Sequence, residues 1–280
     1  MSSASSPKGF ALGSTIELSA RGFPPQSHPM EADLFCRQSA MPGHDQSRLE
    51  AAKFGVIGAG GLGSWIALGL ARMGARDLTI IEPDSFDRSN APRQFMFGED
   101  LFRPKAHVLS KNLIPHFTNA ARVRGIASAF DDDVVGVNLG LDALIVGVDN
   151  NEARLAASAY GLRNAVPIVF VMHSRDGLRV QAFLQRVGGP CLSCVLPNLD
   201  PLTFAPCATV SIAGCFLAAG HAVALAAAVV MGQDRLPIWR ETSLDGSTER
   251  TGTPLRVPTC RMCSSDRKLS ETTVALPLGL

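Results

Sequence analysis

Four kinds of residue in this chain could do chemistry together. Gly58, Gly60, Gly61 and Gly63 form a glycine-rich run between a short apolar segment, Phe54–Ile57, and a longer apolar one. Glycines so placed let the backbone turn tightly and approach a phosphate, while the next helix offers its free N–H groups to the anion. Glu82 and Asp84 follow a second apolar run, where an acid can accept hydrogen bonds from ribose hydroxyls. Asn90, Arg93, Gln94 and Lys105 then crowd one polar segment. A nicotinamide site has little use for two cations there. A triphosphate being cleaved does, because Arg and Lys neutralise the charge moving onto the leaving pyrophosphate. Last, Cys191-x-x-Cys194 and Cys260-x-x-Cys263 give two chelating pairs of thiols, the set that tetrahedral zinc takes. Four sulfurs close the coordination sphere, so such an ion is structural. Redox dithiols are the alternative, but no thioredoxin-like pattern surrounds either pair.

The elements that must position these groups are legible as a repeating strand–helix pattern. Phe54–Ile57 reads as a buried strand, and Ile66, Leu70 and Met73 mark one face of the helix after the glycine loop, with Gly74 at its C-cap. Asp77–Glu82 reads as the second strand and Ser85–Phe102 as a long polar connection suited to covering a ligand. A helix over Arg103–Leu113 carries Lys105 near its start and ends at Pro115. Arg122–Ile126 is a third strand, Asp131–Asp133 a solvated helix start, and Leu141–Val148 a further strand ending at Asp149-Asn150. Acids at the carboxyl end of a parallel strand lie at the ligand edge of an open sheet, so Asp149 is placed to hold Mg²⁺ between phosphate oxygens. The competing role, N-cap of a helix over 151–163, can fall to Asn150 or Asn151. After Pro167–Met172 a turn at His173–Gly177 leads into Leu178–Leu184, a change from parallel units to hairpins. The fold class is therefore α/β: a mostly parallel Rossmann-like sheet, an antiparallel C-terminal extension and a four-cysteine zinc staple.

Bulk properties narrow the function. With 280 residues and 46% apolar residues a substantial core can form. A net charge of +1, with one Tyr and two Trp, gives no electrostatic or stacking case for nucleic acid. The odd cysteine count and the two Cys-x-x-Cys pairs favour metal over disulfides, hence a reducing, cytoplasmic setting. Residues 1–30 are Ser- and Pro-rich, lack the apolar core of a signal peptide, and are expected to be loosely ordered, although Thr15–Leu18 could add a short strand. Residues 31–280 are expected to form a single domain. Ala208–Met231 is long and apolar enough to span a bilayer. Its Ala/Gly richness, His221 at mid-span and its place between the two cysteine pairs favour a buried helix instead, with no membrane partner.

In order and spacing, Gly58-x-Gly60-Gly61-Leu62-Gly63-Ser64, Glu82-x-Asp84, Ser89-Asn90-x-x-Arg93-Gln94, Pro104-Lys105 and Val148-Asp149-Asn150 together resemble the ThiF/MoeB family of adenylating enzymes, relatives of the ubiquitin-activating enzymes. The resemblance runs from about Leu34 to Cys263, and the zinc-bearing branch has the same cysteine pairs. It implies ATP-dependent adenylation of the C-terminal glycine carboxylate of a small ubiquitin-like or sulfur-carrier protein, with Arg93, Lys105 and Asp149 as the catalytic groups. Some relatives act on short ribosomal peptides instead. It also implies a homodimer in which Arg37, in the segment Leu34-Phe35-Cys36-Arg37-Gln38, reaches the partner's phosphates. Cys207 stands where some members carry a thiol that attacks the activated carbonyl. In sequence it has no basic neighbour to activate it, and a buried structural thiol is the alternative. Cys215 reads as core. Two rivals remain. An NAD(P)-dependent oxidoreductase would need a catalytic Tyr/Lys or His/Asp arrangement, and Tyr160 is followed by Gly-Leu-Arg-Asn with no Lys. A zinc-stapled adaptor would need a decayed nucleotide site, whereas Arg93, Lys105 and Asp149 are all present.

Overall fold

A computed structural model describes residues 13–22, 34–131, 138–200, 210–233 and 238–264. Its core is a sheet of nine strands: β1 (Thr15–Ala20), β2 (Lys53–Ile57), β3 (Asp77–Ile81), β4 (Ala121–Ile126), β5 (Ala143–Val146), β6 (Ile168–His173), β7 (Arg179–Gln185), β8 (Trp239–Ser243) and β9 (Glu249–Gly252). Their spatial order is β1-β4-β3-β2-β5-β6-β7-β8-β9. The central five, β4-β3-β2-β5-β6, run parallel; β7, β8 and β9 continue the sheet antiparallel. Every residue of β5 is buried, as expected for a parallel strand covered on both faces. Within the stretch expected to be loosely ordered, Thr15–Ala20 pairs antiparallel with β4 from Thr15↔Ile126 to Ala20↔Ala121, forming one edge of the sheet.

Helices cover both faces. α1 (Cys36–Ser39) and α2 (Gln46–Ala51) precede β2. α3 (Gly63–Met73), α4 (Lys105–Leu113) and the long α7 (Ile212–Val230) pack on one face through Ile66, Leu70, Leu109, Ala218 and Ala222. α5 (Asn151–Asn164) and the short α6 (Leu192–Val195) cover the other through Ala157, Tyr160 and Leu192. α4 starts two residues later than the sequence suggests, at Lys105, because Pro104 occupies its N-cap. Among the described residues, α7 alone is long and apolar enough to cross a membrane, with a mean hydropathy of 2.0; half of that window is buried within the fold. Tyr160 is fully buried, and its hydroxyl accepts a hydrogen bond from the Leu139 amide at 3.1 Å. That is a structural assignment and not that of a catalytic tyrosine.

The chain order explains where a ligand can sit. From β2 the chain moves outward through β3 to β4, then returns to place β5 on the other side of β2. The loops after β2 and β5 therefore part in opposite directions and leave a crevice at their carboxyl ends, the usual ligand position of an open α/β sheet. Gly58 begins one of these loops, and Gly147–Asp149 forms the other.

Candidate functional site

The loop after β2 has the geometry its glycines suggest. Gly58 adopts φ +95°, and a Cβ there would stand 2.9 Å from the Gly147 carbonyl oxygen. At Gly63 the two arms of the loop nearly touch, since a Cβ would lie 1.8 Å from the Gly58 oxygen. Gly60 and Gly61 form the crest. α3 then begins with Leu62 at its N-cap and no side chain capping its first amides. The Ser64 amide donates to the Gly60 carbonyl at 3.0 Å, which leaves the neighbouring Gly63 and Trp65 amides for an anion.

Glu82 lies at the end of β3, 8% exposed, and does something the sequence did not show. Its Oε2 accepts the Ala59 amide at 2.8 Å and its Oε1 accepts the Asp84 amide at 3.0 Å. The carboxylate thus ties the phosphate loop to the turn after β3, in addition to any ribose hydroxyl its remaining lone pairs could accept. Burial pushes its pKa up; the Ala59 hydrogen bond, the Lys105 charge and the Asp84 amide oppose that. Lys105, 7% exposed, places Nζ 3.3 Å from Oδ2 of the exposed Asp84. The main chain adds a second tie, Lys105 N–H to the Asp84 carbonyl at 2.8 Å.

The connection from β3 to α4 folds back over the loop. Asn90 is buried, but its side chain closes a local turn: Oδ1 accepts the Asp87 amide at 3.0 Å. Arg93 extends across Gly61, with Cγ and Cδ 3.5 Å from a Cβ built there, and Nη1 donates to the Ser89 carbonyl at 2.6 Å. Gln94 is 7% exposed, and its Oε1 is buried without a protein partner; Nε2 lies 3.7 Å from a Cβ built on Gly60. Buried amide oxygens are normally satisfied, so this one is a candidate acceptor for a ligand. Asp149 is exposed at the crevice. Asn150 takes the N-cap of α5, its Oδ1 accepting the Ala153 amide at 2.8 Å, so Asp149 is not used for capping.

Two residues that the sequence reading passed over hold these parts in place. Arg154 donates Nη2 to the Val148 carbonyl at 2.7 Å and Nη1 to Asn151 at 2.9 Å, fastening the Asp149 loop to α5. Burial lowers its pKa and the Asp149 charge raises it. Trp65 donates its indole N–H to the Arg93 carbonyl at 2.9 Å. The first bonds are local, to residues six and three positions away, and an arginine one helical turn past Asn150 is the signal that could have found them; the second spans 28 residues and leaves no local signal. Cys215 is core as expected: its sulfur is 3.0 Å from a Cβ built on Gly61, and burial pushes its pKa to about 11, against the opposing Arg93 charge.

Arg37, expected to act in trans, is not at the site of its own chain. Arg37 is exposed on α1, whose neighbour Gln38 donates to the Met73 carbonyl at 2.9 Å. That is the C-terminal end of α3, about 15 Å along the helix from the phosphate loop. Cys207 lies outside the described residues.

The four paired cysteines do meet. Their sulfurs lie within 4.8 Å of one another, with Cys191–Cys194 at 3.8 Å, Cys191–Cys260 at 3.6 Å and Cys194–Cys263 at 3.5 Å. A tetrahedral ion with metal–sulfur bonds of about 2.3 Å requires sulfur separations of about 3.8 Å, so the cluster fits zinc. Burial raises the pKa values of Cys191 and Cys194, and a cation would replace the protons they otherwise keep.

Known proteins are similar to this chain in sequence and in fold. A NEDD8-activating enzyme E1 catalytic subunit of Schizosaccharomyces pombe is 32% identical over 55% of the chain and 35% of its own length. A SAMP-activating enzyme E1 of Haloferax volcanii is 29% identical over 60% of the chain and 63% of its own length. A sulfur carrier protein adenylyltransferase of Thermus thermophilus is 29% identical over 66% of the chain and 71% of its own. The chain thus spans from about a third to about two thirds of these relatives. In fold it is similar to E. coli MccB, solved with AMPCPP and MccA, at a TM-score of 0.64 and 22% identity, over 78% of this chain and 68% of that one. The ThiF family model matches residues 35–264, from α1 to the second cysteine pair, and the chain belongs to the ThiF family.

Proposed function

We propose that this chain is an adenylyltransferase that activates the C-terminal glycine carboxylate of a small ubiquitin-like or sulfur-carrier protein. The observation that carries the reading is a glycine loop without a side-chain cap at the crevice between β2 and β5, with Arg93 and Gln94 against it and Lys105 paired to Asp84 beside Glu82, which holds the loop. In the reaction a carboxylate oxygen attacks the α-phosphorus of ATP. The bond to the bridging oxygen breaks, pyrophosphate leaves with that electron pair, and an acyl-adenylate remains. The loop amides bind phosphate, Lys105 and Arg93 neutralise the charge that builds on the leaving group, and Glu82 with Asp84 borders the ribose side. Gln94 offers its free oxygen and Asn90 shapes the turn. Asp149, an exposed carboxylate at the crevice, would hold a magnesium ion, which would supply charge neutralisation to the phosphates there. Zinc at Cys191, Cys194, Cys260 and Cys263 would be structural.

The reading includes a homodimer. An apolar groove of about 770 Å³ runs between α1, α3 and α7, lined by Met41, Leu68, Phe216 and Val223 among others, with Phe216 52% exposed. By the family resemblance, Arg37 would reach its neighbour's phosphates in such a dimer. Cys207 is the candidate acceptor if the acyl group moves on to a thiol. The fold likeness to MccB supports a short peptide as the second substrate class.

The test is intact-mass capture of adenylates. The enzyme is incubated with Mg·ATP and candidate acceptors: a carrier ending in Gly-Gly and a short peptide. An AMP adduct on the carrier, lost in Lys105→Ala and Asp149→Ala variants that still fold, supports the reading. An adduct on the peptide alone moves the protein to the peptide-modifying class. Persistence of AMP transfer in both variants refutes the site.

A further inference from the structure

We propose that Trp65 is a positioning residue for Arg93, setting through its indole N–H how far the arginine reaches over the phosphate loop. The inference rests on the adenylation reading and adds a residue to it. Trp65 is the third residue of α3, so it moves rigidly with the loop amides that bind phosphate. Its Nε1 donates to the Arg93 carbonyl at 2.9 Å, and the adjacent Ser64 Oγ accepts the Phe95 amide at 3.1 Å. The Arg93 amide donates in turn to the Asn90 carbonyl at 3.1 Å. The arginine main chain is therefore held on both sides, and its side chain leaves that anchor directly across Gly61. The indole itself is wedged between Phe95, with ring centroids at 5.6 Å, and Phe216 at 4.7 Å edge-on.

A tryptophan packed in this way can be filling space only. Two features indicate more. A partly buried indole N–H needs an acceptor, and this one takes a carbonyl on the segment that carries both Arg93 and Gln94. The two bonds from Ser64 and Trp65 also register that segment against the first turn of the anion-binding helix, where a displacement of about 1 Å is enough to cost on the order of a hundredfold in rate.

The test separates the N–H from the ring. Trp65→Phe keeps an aromatic wedge and removes the donor. Binding of Mg·ATP is measured by calorimetry for the wild type, W65F, R93A and the double variant. W65F should weaken binding about tenfold and cost clearly less once Arg93 is gone. An equal loss in both backgrounds overturns the proposal, because a merely structural residue would act whether or not Arg93 is present. A second measurement needs no nucleotide and leaves Trp65 intact: proton exchange at the indole N–H groups of the wild type. The chain has two tryptophans, so W239F assigns the signals. Slow exchange at Trp65 supports the bond and fast exchange overturns it. If the wild type binds no Mg·ATP at all, the adenylation reading fails, and the exchange arm still decides whether Trp65 holds the Arg93 segment.

Discussion

Glu82→Gln is the substitution in which the structure makes the sharpest quantitative demand. Each carboxylate oxygen accepts a different main-chain amide, Ala59 at 2.8 Å and Asp84 at 3.0 Å, and the side chain is 8% exposed. A glutamine has one oxygen. Whichever amide it satisfies, its NH₂ then faces the other, donor against donor. A buried donor left without an acceptor costs about 1–3 kcal/mol. For a chain of this size that lowers Tm by about 2–10 °C. Because Ala59 belongs to the phosphate loop, nucleotide binding should weaken as well. The pH dependence carries its own sign. Burial raises the folded pKa of Glu82 above its ordinary value of 4.5, opposed mainly by the Ala59 bond and Lys105. The folded state therefore holds this proton more tightly than the unfolded one. The stability that follows is fully present below 4.5 and is lost as pH rises through the folded pKa. The glutamine variant lacks this dependence. The assay is thermal unfolding of both proteins across pH 4 to 8, with and without Mg·ATP. A variant as stable as the wild type, with an unchanged shift on Mg·ATP, would refute the bracing role assigned to Glu82.

Two further outcomes are expected. Gly63→Ala places a methyl 1.8 Å from the Gly58 oxygen, so the loop must open and Mg·ATP should no longer raise Tm; a retained shift would mean the nucleotide does not bind at this loop. Native mass spectrometry should find one zinc per chain, absent in Cys260→Ser, and the variant should unfold at a lower temperature because the link between the α6 turn and the C-terminal segment is gone; zinc retained without Cys260 would contradict the four-sulfur site.

Local patterns were legible because their causes are local. Phe54–Ile57, the glycines after it and Ile66, Leu70 and Met73 report a strand, a turn and a helix through periodicity alone, and the structure has β2, the loop and α3 there. Asn150 could be named as an alternative to Asp149 for capping because a cap acts over three residues. Element ends were less visible. The strand predicted over Leu141–Val148 is Ala143–Val146, since main-chain pairing with β2 and β6 determines its length. The short strand anticipated at Thr15–Leu18 is present and runs on to Ala20, because its pairing with β4, about a hundred residues away in sequence, sets its end.

The sequence by itself determined which chemistry was available: phosphate-binding glycines, two cations and an amide in one segment, an acid after a strand, and two chelating cysteine pairs. Each of those rests on residue type and short spacing, which survive without a fold. The tertiary structure alone decided which of these groups meet and how they are engaged. It directed both Glu82 oxygens to main-chain amides, left the Gln94 oxygen without a protein partner, hung Arg93 from the Trp65 indole, and set Arg37 at the far end of α3. Cys191 and Cys260 came together across 69 residues by the same means. The physical reason is that hydrogen bonds and metal ligation act over about 3–4 Å, whereas the chain between the partners is long enough to place them anywhere until the sheet order is settled.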